Sequence, residues 1–209
     1  MTTVKTSRRT QAQRSQATRA KILRTARTRF VKDGYNATTM ARIAAEAGVA
    51  VQTVYFVFHT KGELLNAVLE AAVLGDDNVP PQRTDWHRTA TTTNDGQAAI
   101  EAFVGGCAQI LRRSAPLEYV VRTAMHTEPT VRRSREYGEG LRVDGFRDFV
   151  DSLNSRRLLR PGEDPALCAD VLLTMLGPST YLAFTTERGW THDEYVAWAT
   201  RALTRLLLW

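Results

Sequence analysis

The sequence predicts an all-α fold of about nine helices. Apolar residues recur at intervals of three and four in one segment after another, which is the spacing of a helix with one buried face. No segment shows the clean alternation of apolar and polar residues that is typical of a strand. Glycine, proline and threonine lie between the apolar segments, where helices begin and end.

The charge of the chain is unevenly distributed. The 209 residues carry a net charge of +6, with a pI near 9.7 and 43% hydrophobic residues. Residues 1–32 hold ten Lys and Arg and no acidic residue, so the rest of the chain is slightly acidic. A basic segment of this kind favours an acidic partner such as nucleic acid, although a solvated tail is the alternative interpretation.

Residues 1–13 are polar and basic, and we expect them to be a disordered arm. Arg8 and Arg9 are candidates for insertion into a minor groove. The first helix is predicted over 15–32, and Gly34 follows as its C-terminal cap because glycine adopts the left-handed conformation readily.

Residues 38–61 predict a helix-turn-helix. Thr38 and Thr39 can cap a short helix, whose apolar face is followed by Gly48 as a stop signal. A second short helix follows directly. Two short helices joined by a glycine-containing turn are typical of DNA-binding proteins, although a helical hairpin in an unrelated protein has the same periodicity.

The front of the second short helix carries polar and aromatic side chains. Gln52 and Thr53 are expected to face the major groove, where glutamine can make a bidentate pair with adenine. Val51 and Phe56 are candidates for contact with a thymine methyl group. Tyr55 can donate its hydroxyl to a phosphate oxygen.

Two basic residues flank this motif. Arg42 is a candidate phosphate contact, with plain surface charge as an equal alternative. Lys61 begins a fourth helix over 61–74, where its charge adds to the helix dipole and favours a phosphate. Residues 75–95 contain two prolines and several threonines, and we expect a long mobile loop there.

The remaining helices are predicted over 96–113, 116–125, 127–153, 164–184 and 192–209, with a kink at Gly177–Pro178 in the fourth of these. Several large side chains are candidates for lining an apolar ligand cavity between these helices, although ordinary core packing is the alternative. These candidates are Phe103, Cys107, Tyr119, Met125, Phe146, Phe149, Met175 and Tyr181.

The helix-turn-helix segment resembles the TetR family of bacterial transcriptional regulators over roughly residues 18–72. The matching residues are Thr39-Met40, Ile43-Ala44, Ala47-Gly48-Val49, Thr53-Val54-Tyr55, Phe58, Lys61 and Glu63-Leu64-Leu65. Two positions depart from the family pattern. Ala50 stands where a serine is usual and removes a possible helix cap, and Gln52 stands where many relatives have glycine or proline.

The resemblance implies a function and a domain organisation. It places the residues at Thr39, Tyr55 and Lys61 against the DNA backbone, and it implies a homodimer on a pseudo-palindromic operator in double-stranded DNA. It further implies a repressor released by a small hydrophobic or aromatic effector. The expected domains are a disordered basic arm (1–13), a DNA-binding domain (14–60) and a ligand-binding and dimerisation domain (61–209).

The last two predicted helices are the candidates for a four-helix dimer interface, with internal core as the alternative. The candidate interface residues are Leu172, Leu176, Trp198, Leu203 and Leu206.

Other function classes have weaker support. Four scattered histidines and the absence of a recognisable catalytic or phosphate-binding motif argue against an all-α enzyme, and we expect no cofactor and no metal. A helical protein-interaction module is the second alternative. No signal peptide or membrane helix is evident, and the two cysteines have no CxxC spacing, so we expect a cytoplasmic protein with reduced thiols.

Overall fold

The computed structural model describes residues 11–208, and within this range the chain forms helices and no strand. Short 3-10 turns cover Pro81–Arg83 and Ala115–Leu117, and a π-helical turn covers Ala183–Glu187. The helices are α1 (Gln11–Ala37), α2 (Met40–Ala47), α3 (Val51–Phe58), α4 (Lys61–Leu74), α5 (Asp85–Thr92), α6 (Gly96–Ser114), α7 (Glu118–Met125), α8 (Pro129–Ser155), α9 (Pro165–Met175), α10 (Pro178–Leu182) and α11 (His192–Leu207).

Buried apolar side chains form two clusters. The N-terminal cluster joins α1, α2, α3, α4 and α7, and includes Ile22, Phe30, Ile43, Val54, Leu64, Leu65, Val68 and Val121. The C-terminal cluster joins α5, α6, α8, α9 and α11, and includes Ile100, Phe103, Phe149, Leu172, Tyr195 and Leu203. The α4 helix contributes its buried face to the N-terminal cluster and lies against α6 and α8 as well.

Helix α1 is longer than predicted. It begins at Gln11, so the last three residues of the expected disordered arm are helical, while Arg8 and Arg9 lie outside the described residues. Gly34 has φ 78° and ψ 178°, which interrupts the helical backbone close to the predicted C-terminal cap. The break turns the chain toward α2, where Tyr35 is buried against Phe30.

The prediction of a mobile loop over 75–95 was wrong. The α5 helix occupies part of it, and its N-terminus is capped by Thr84, whose side chain accepts from the backbone N–H of His87. Trp86 packs edge-on against Phe103 with ring centroids 6.0 Å apart. The composition of residues 75–95 did not indicate this helix. Trp86 packs against α6, a later segment of the chain, and that contact is not visible in the local sequence.

The predicted kink at Gly177–Pro178 is confirmed. Helix α9 ends at Met175, and the axis bends by 40° before the segment that begins at Pro178. Proline lacks the N–H that would continue the helical ladder. The buried hydroxyl of Tyr195 donates to the carbonyl of Met175 at 2.7 Å and so satisfies an acceptor at the break.

The two clusters meet where the N-termini of α4 and α8 approach each other. The hydroxyl of Tyr35 donates to Oε1 of Glu128, the N-cap residue of α8, at 2.8 Å. Burial, and then this carboxylate, raise the pKa of Tyr35 well above its usual range. Asn66 of α4 donates to the carbonyl of Thr130 at 3.3 Å. These polar contacts hold the helix-turn-helix against the C-terminal half.

We predict that Gly106→Ala destabilises the protein. A Cβ at Gly106 would overlap the indole ring of Trp86, and overpacking of this kind costs about 1–3 kcal/mol. The neighbouring Gly105 has no atom within 4 Å of the corresponding position, so Gly105→Ala is the matched control and should gain about 0.5–1 kcal/mol from helix propensity. Urea unfolding of both variants checks this, and equal stability would contradict the packing of α5 on α6.

We predict that Tyr35→Phe lowers the free energy of unfolding by about 1–3 kcal/mol, because the half-buried carboxylate of Glu128 loses a hydrogen-bond donor. Tyr119 is 76% exposed and supplies the control, since Tyr119→Phe should change stability by less than about 0.5 kcal/mol. Thermal and urea unfolding of both variants give the comparison. A Tyr35→Phe variant as stable as the control would show that the bond does not join the two halves.

Candidate nucleic-acid interface

Helices α2 and α3 form the predicted helix-turn-helix. The hydroxyl of Thr39 accepts from the backbone N–H of Arg42 at 3.2 Å and caps α2. Gly48 ends α2 in the left-handed conformation, with φ 60° and ψ 42°. The axes of α2 and α3 then differ by 114°, which lies in the range of this motif. Ala50 provides no side-chain cap for α3, as its sequence departure implied.

The back of α3 is held rigidly by burial. Val54 and Phe58 are 0% and 3% exposed within the N-terminal cluster. The guanidinium of Arg19 lies 5.1 Å from the centroid of the Phe58 ring. This packing leaves α3 little freedom to rotate, so the side chains on its other face have a defined direction.

The front of α3 is exposed. Gln52 is exposed, Tyr55 is 50% exposed and Phe56 is 82% exposed. We call these three residues the reading face. Val51 and Thr53 are half-buried at its edges. A large aromatic ring such as Phe56, left in water on a packed helix, is typical of a surface that binds a partner.

The candidate Thr38 requires a correction. Its side chain is fully buried, and its hydroxyl donates to the carbonyl of Gly34 at 2.7 Å. Thr38 therefore stabilises the turn between α1 and α2 and is not available to a ligand. Thr39 is exposed, although its hydroxyl is engaged as a helix cap.

Lys61 is placed by internal contacts. Its Nζ donates to the carbonyls of Tyr35 at 2.9 Å and Thr38 at 3.1 Å, and it lies 4.1 Å from the centroid of the Tyr35 ring. Desolvation lowers the pKa of this ammonium, and the charge of Glu128 opposes the shift. An ammonium has three donors. Two of them bind carbonyls, which leaves the third for a further acceptor.

Arg42 is partly exposed but engaged in ion pairs. It lies 3.4 Å from Asp33 and 3.3 Å from Glu46. Arg29 contacts the same two carboxylates, at 3.4 Å and 2.5 Å. Exposed pairs of this kind are worth little and exchange readily, so Arg42 can still turn toward an anion. The pair with Asp33 crosses the break at Gly34 and was not evident from the sequence, whereas Glu46 lies four residues from Arg42 in the same helix.

Basic residues of α1 also lie beside the motif. The ammonium of Lys21 lies next to the turn at Gly48, 3.3 Å from the position that a Cβ there would occupy. Arg19 covers Phe58 at the end of α3. The run of positive charge signalled a role for this segment, but only the packing of α1 showed which of its residues adjoin the turn.

A cavity of about 680 Å³ lies between α4, α5, α6 and α8. Three of its predicted lining residues are present: Phe103, Cys107 and Phe146. Burial raises the pKa of the Cys107 thiol to about 12, so this sulfur remains protonated and unreactive at neutral pH. Trp86 and His87 also line the cavity, and the sequence did not predict this because their segment was expected to be a mobile loop.

The other predicted cavity residues lie elsewhere. Tyr119 is 76% exposed on α7, and Met125 lines a separate surface groove with residues of α8. Phe149 is fully buried and stacks on Phe103 with centroids 3.8 Å apart. Tyr181 is 6% exposed, and its hydroxyl lies 3.0 Å from Nδ1 of His192. Met175 packs on the C-terminal cluster without lining the cavity.

Three of the five predicted interface residues are internal core. Leu172, Leu176 and Leu203 are at most 1% exposed within this chain and have no surface left for a second copy. Periodicity alone could not separate core from interface here. Trp198 is partly buried, and Leu206 is 48% exposed.

Among residues 11–208, no group of three or more His, Cys, Asp and Glu side chains is arranged to hold a metal ion. No single helix in the described part of the chain is long and apolar enough to cross a membrane, and two bent helix pairs reach that length and composition only when joined.

Comparison with known proteins agrees with this geometry. Residues 22–68 match the family model described as bacterial regulatory proteins, tetR family. Comparison with functionally curated proteins gives no match.

Solved structures show the same fold over most of the chain. A regulator from Saccharomonospora viridis in complex with choline is 18% identical, with a TM-score of 0.73 over 93% of this chain and 99% of its own. NalD, the secondary repressor of the MexAB-OprM efflux pump in Pseudomonas aeruginosa, is 21% identical, with a TM-score of 0.67 over 93% and 97%. The SmeT–triclosan complex is 20% identical, with a TM-score of 0.70 over 92% of both chains.

At these identities the structural likeness establishes the fold, while the family model covers the helix-turn-helix and the helices that support it. Residues 22–68, which hold the helix-turn-helix, match the TetR family of bacterial regulatory proteins, and the described chain as a whole has the fold of the solved regulators.

Proposed function

We propose that this protein is a homodimeric transcriptional repressor that binds a pseudo-palindromic operator and is released from it by a small hydrophobic or aromatic effector. The observation that carries this proposal is the reading face: Gln52, Tyr55 and Phe56 are exposed on a helix whose back is packed into the N-terminal cluster. A rigid helix with such a front suits the major groove of duplex DNA.

The proposed contacts divide into positioning and reading. Tyr55 and the third donor of Lys61 would bind phosphate oxygens, and Arg42 would join them by exchanging its exposed carboxylate partners. Gln52 would pair with an adenine, while Phe56 would contact a thymine methyl group. Phosphate contacts supply affinity that falls with salt, whereas the base contacts supply the preference for sequence.

The cavity is the proposed effector site. It is walled by α4, and another face of α4 is buried in the N-terminal cluster, where α4 packs against α1 and α3. The similar structures of SmeT and of the Saccharomonospora viridis regulator were determined with triclosan and with choline. A ligand that favours one position of α4 would change how the recognition helices are spaced, and a ligand without such a preference would shift nothing.

The proposed dimer interface is the outward face of α9 and α11. Leu167 on α9 is 59% exposed and Leu206 on α11 is 48% exposed, which leaves apolar surface uncovered on both helices. Two copies are needed because one short recognition helix makes too few contacts for specific binding. The domain division also remains a proposal: 14–60 reads DNA and 61–209 responds to ligand, while α4 packs with both.

We predict that Gln52→Ala removes the preference for one base pair in each half-site, which corresponds to about 1–3 kcal/mol of discrimination. Selection from a random duplex library, followed by mobility-shift titration at several salt concentrations, measures this. Gln97→Ala on the exposed side of α6 is the control and should keep the full preference.

Two outcomes of that experiment would contradict the proposal or part of it. A native protein that shows no preferred sequence as salt rises would remove the regulator proposal in favour of an interaction module. An unchanged base preference in Gln52→Ala would remove only the assignment of this residue to the groove.

We predict that Leu206→Glu converts the dimer to a monomer at micromolar concentration and abolishes binding to a full operator, because a charge would be buried in the interface. Light scattering and mobility shift measure the two effects. Tyr119→Glu changes an exposed apolar side chain on α7, away from this face, and should leave both unchanged. A Leu206→Glu protein that still forms dimers would exclude this face.

A further inference from the structure

We propose that the cavity takes a hydrophobic organic cation, with an aromatic or branched aliphatic body and one ammonium group. This inference rests on the proposed function of the cavity as the effector site and narrows the class of effector. It is supported by the aromatic side chains that line the cavity and by the lining carboxylates that have no ion-pair partner.

Aromatic rings form one side of the cavity. Trp86, Phe103 and Phe146 lie together, with Phe103 placed edge-on to both neighbours at centroid distances of 6.0 Å and 5.0 Å. Tyr137 adds a largely exposed ring to the lining. Aromatic faces carry partial negative charge and attract a cation placed within about 6 Å. They also provide apolar surface for the body of the ligand.

Two carboxylates of the lining, Glu118 and Glu139, are paired with arginines. Oε1 of Glu118 accepts from Arg135 at 3.2 Å, and it also accepts from Arg122 at 3.1 Å. Arg142 binds both carboxylate oxygens of Glu139, at 3.1 Å and 2.7 Å. These hydrogen bonds are the main cause that lowers the pKa of Glu139, so that carboxylate remains ionised.

Glu63 and Glu70 remain without a compensating charge. Both lie on α4 and line the cavity, and neither has an ion-pair partner among residues 11–208. They are two helical turns apart on one face, which separates them by about 10 Å along the axis. The α4 wall therefore carries two unpaired negative charges, with Glu63 half-buried and Glu70 exposed at the edge of the lining.

The other polar groups of the lining do not offset this charge. His87 has its pKa lowered by burial, so its imidazole is mainly neutral at pH 7, and the nearby charge of Asp148 opposes that shift. A third N–H of the Arg142 guanidinium binds the carbonyl of Leu173 at 3.2 Å. Lys61 points to the other side of α4, over the Tyr35 ring. An anionic ligand would thus meet two carboxylates that have no basic partner among the described residues, Glu63 and Glu70.

The position of Glu63 links such a ligand to the recognition helix. Glu63 lies in the first turn of α4, and its N–H is bound by the N-cap Thr60 directly after α3. A cation drawn toward Glu63 would act on the helix turn that holds Lys61 against Tyr35 and Thr38. The charge of the ligand would therefore act close to the junction that positions α3.

Three probes that share a naphthylmethyl body test the inference by calorimetry on the full-length protein. They are (2-naphthylmethyl)trimethylammonium, its neutral isostere 2-neopentylnaphthalene, and the anion 2-naphthylacetate. We expect the cation to bind about tenfold or more tightly than the isostere, which is the size of one favourable charge contact, and the anion to bind most weakly.

Variants assign this preference to the α4 carboxylates. In Glu63→Gln/Glu70→Gln the cation should lose about tenfold in affinity while the neutral probe is unchanged. Glu101→Gln, exposed on α6 and bonded to Gln97, is the control and should bind all probes as the native protein does. A thermal melt of each variant confirms that it is folded.

Equal or tighter binding of the neutral or anionic probe would overturn the inference, as would a cation affinity unaffected by the double substitution, or no binding of the cation. Failure of this inference can be distinguished from failure of the proposed function. A neutral probe that binds and releases the operator would preserve a ligand-responsive repressor while excluding the cation, whereas loss of sequence-specific DNA binding in the native protein would remove the repressor proposal itself.

Discussion

The arrangement of this protein depends on the burial of one face of α4 in the N-terminal cluster, where it packs against α1 and α3. Leu64, Leu65 and Val68 are at most 2% exposed, and they pack in the same cluster as Ile43 and Val54. Complete burial of each such side chain contributes about 1.5–3 kcal/mol. Because the other side of α4 lines the cavity, the element that supports α3 is also a wall of the ligand site.

Polar contacts fix the position of this helix where apolar packing alone would allow it to slide. The ammonium of Lys61 binds two carbonyls that the break at Gly34 leaves exposed, and Thr38 binds a third. Tyr35 connects the same turn to Glu128 at the start of α8. The turn between α1 and α2 is thus hydrogen-bonded to α4 and to α8. A displacement of either helix would be transmitted through these bonds to the turn, and from there toward the recognition helix.

The two ends of α4 have different electrostatic surroundings. At its N-terminus, the ammonium of Lys61 lies near the carboxylate of Glu128. Near its C-terminus, the carbonyls of Ala72 and Val73 accept hydrogen bonds from Arg113. Between them, Glu63 and Glu70 face the cavity without a basic partner in the described part of the chain. Two carboxylates without a basic partner would attract a positively charged occupant, which is the basis of the proposed ligand class.

Periodicity and stop signals in the sequence determined most helices, the glycine turn of the helix-turn-helix and the exposed side of α3, because these depend on residues close together in the chain. Only the tertiary structure decided that Trp86 is anchored in a helix, that Thr38 is internal, and that Leu172 and Leu203 belong to the core. Those outcomes depend on which neighbour covers a given helix face, and that neighbour is supplied by distant segments. The free carboxylates of the cavity became evident for the same reason, since only contacts between helices show which charges are already paired.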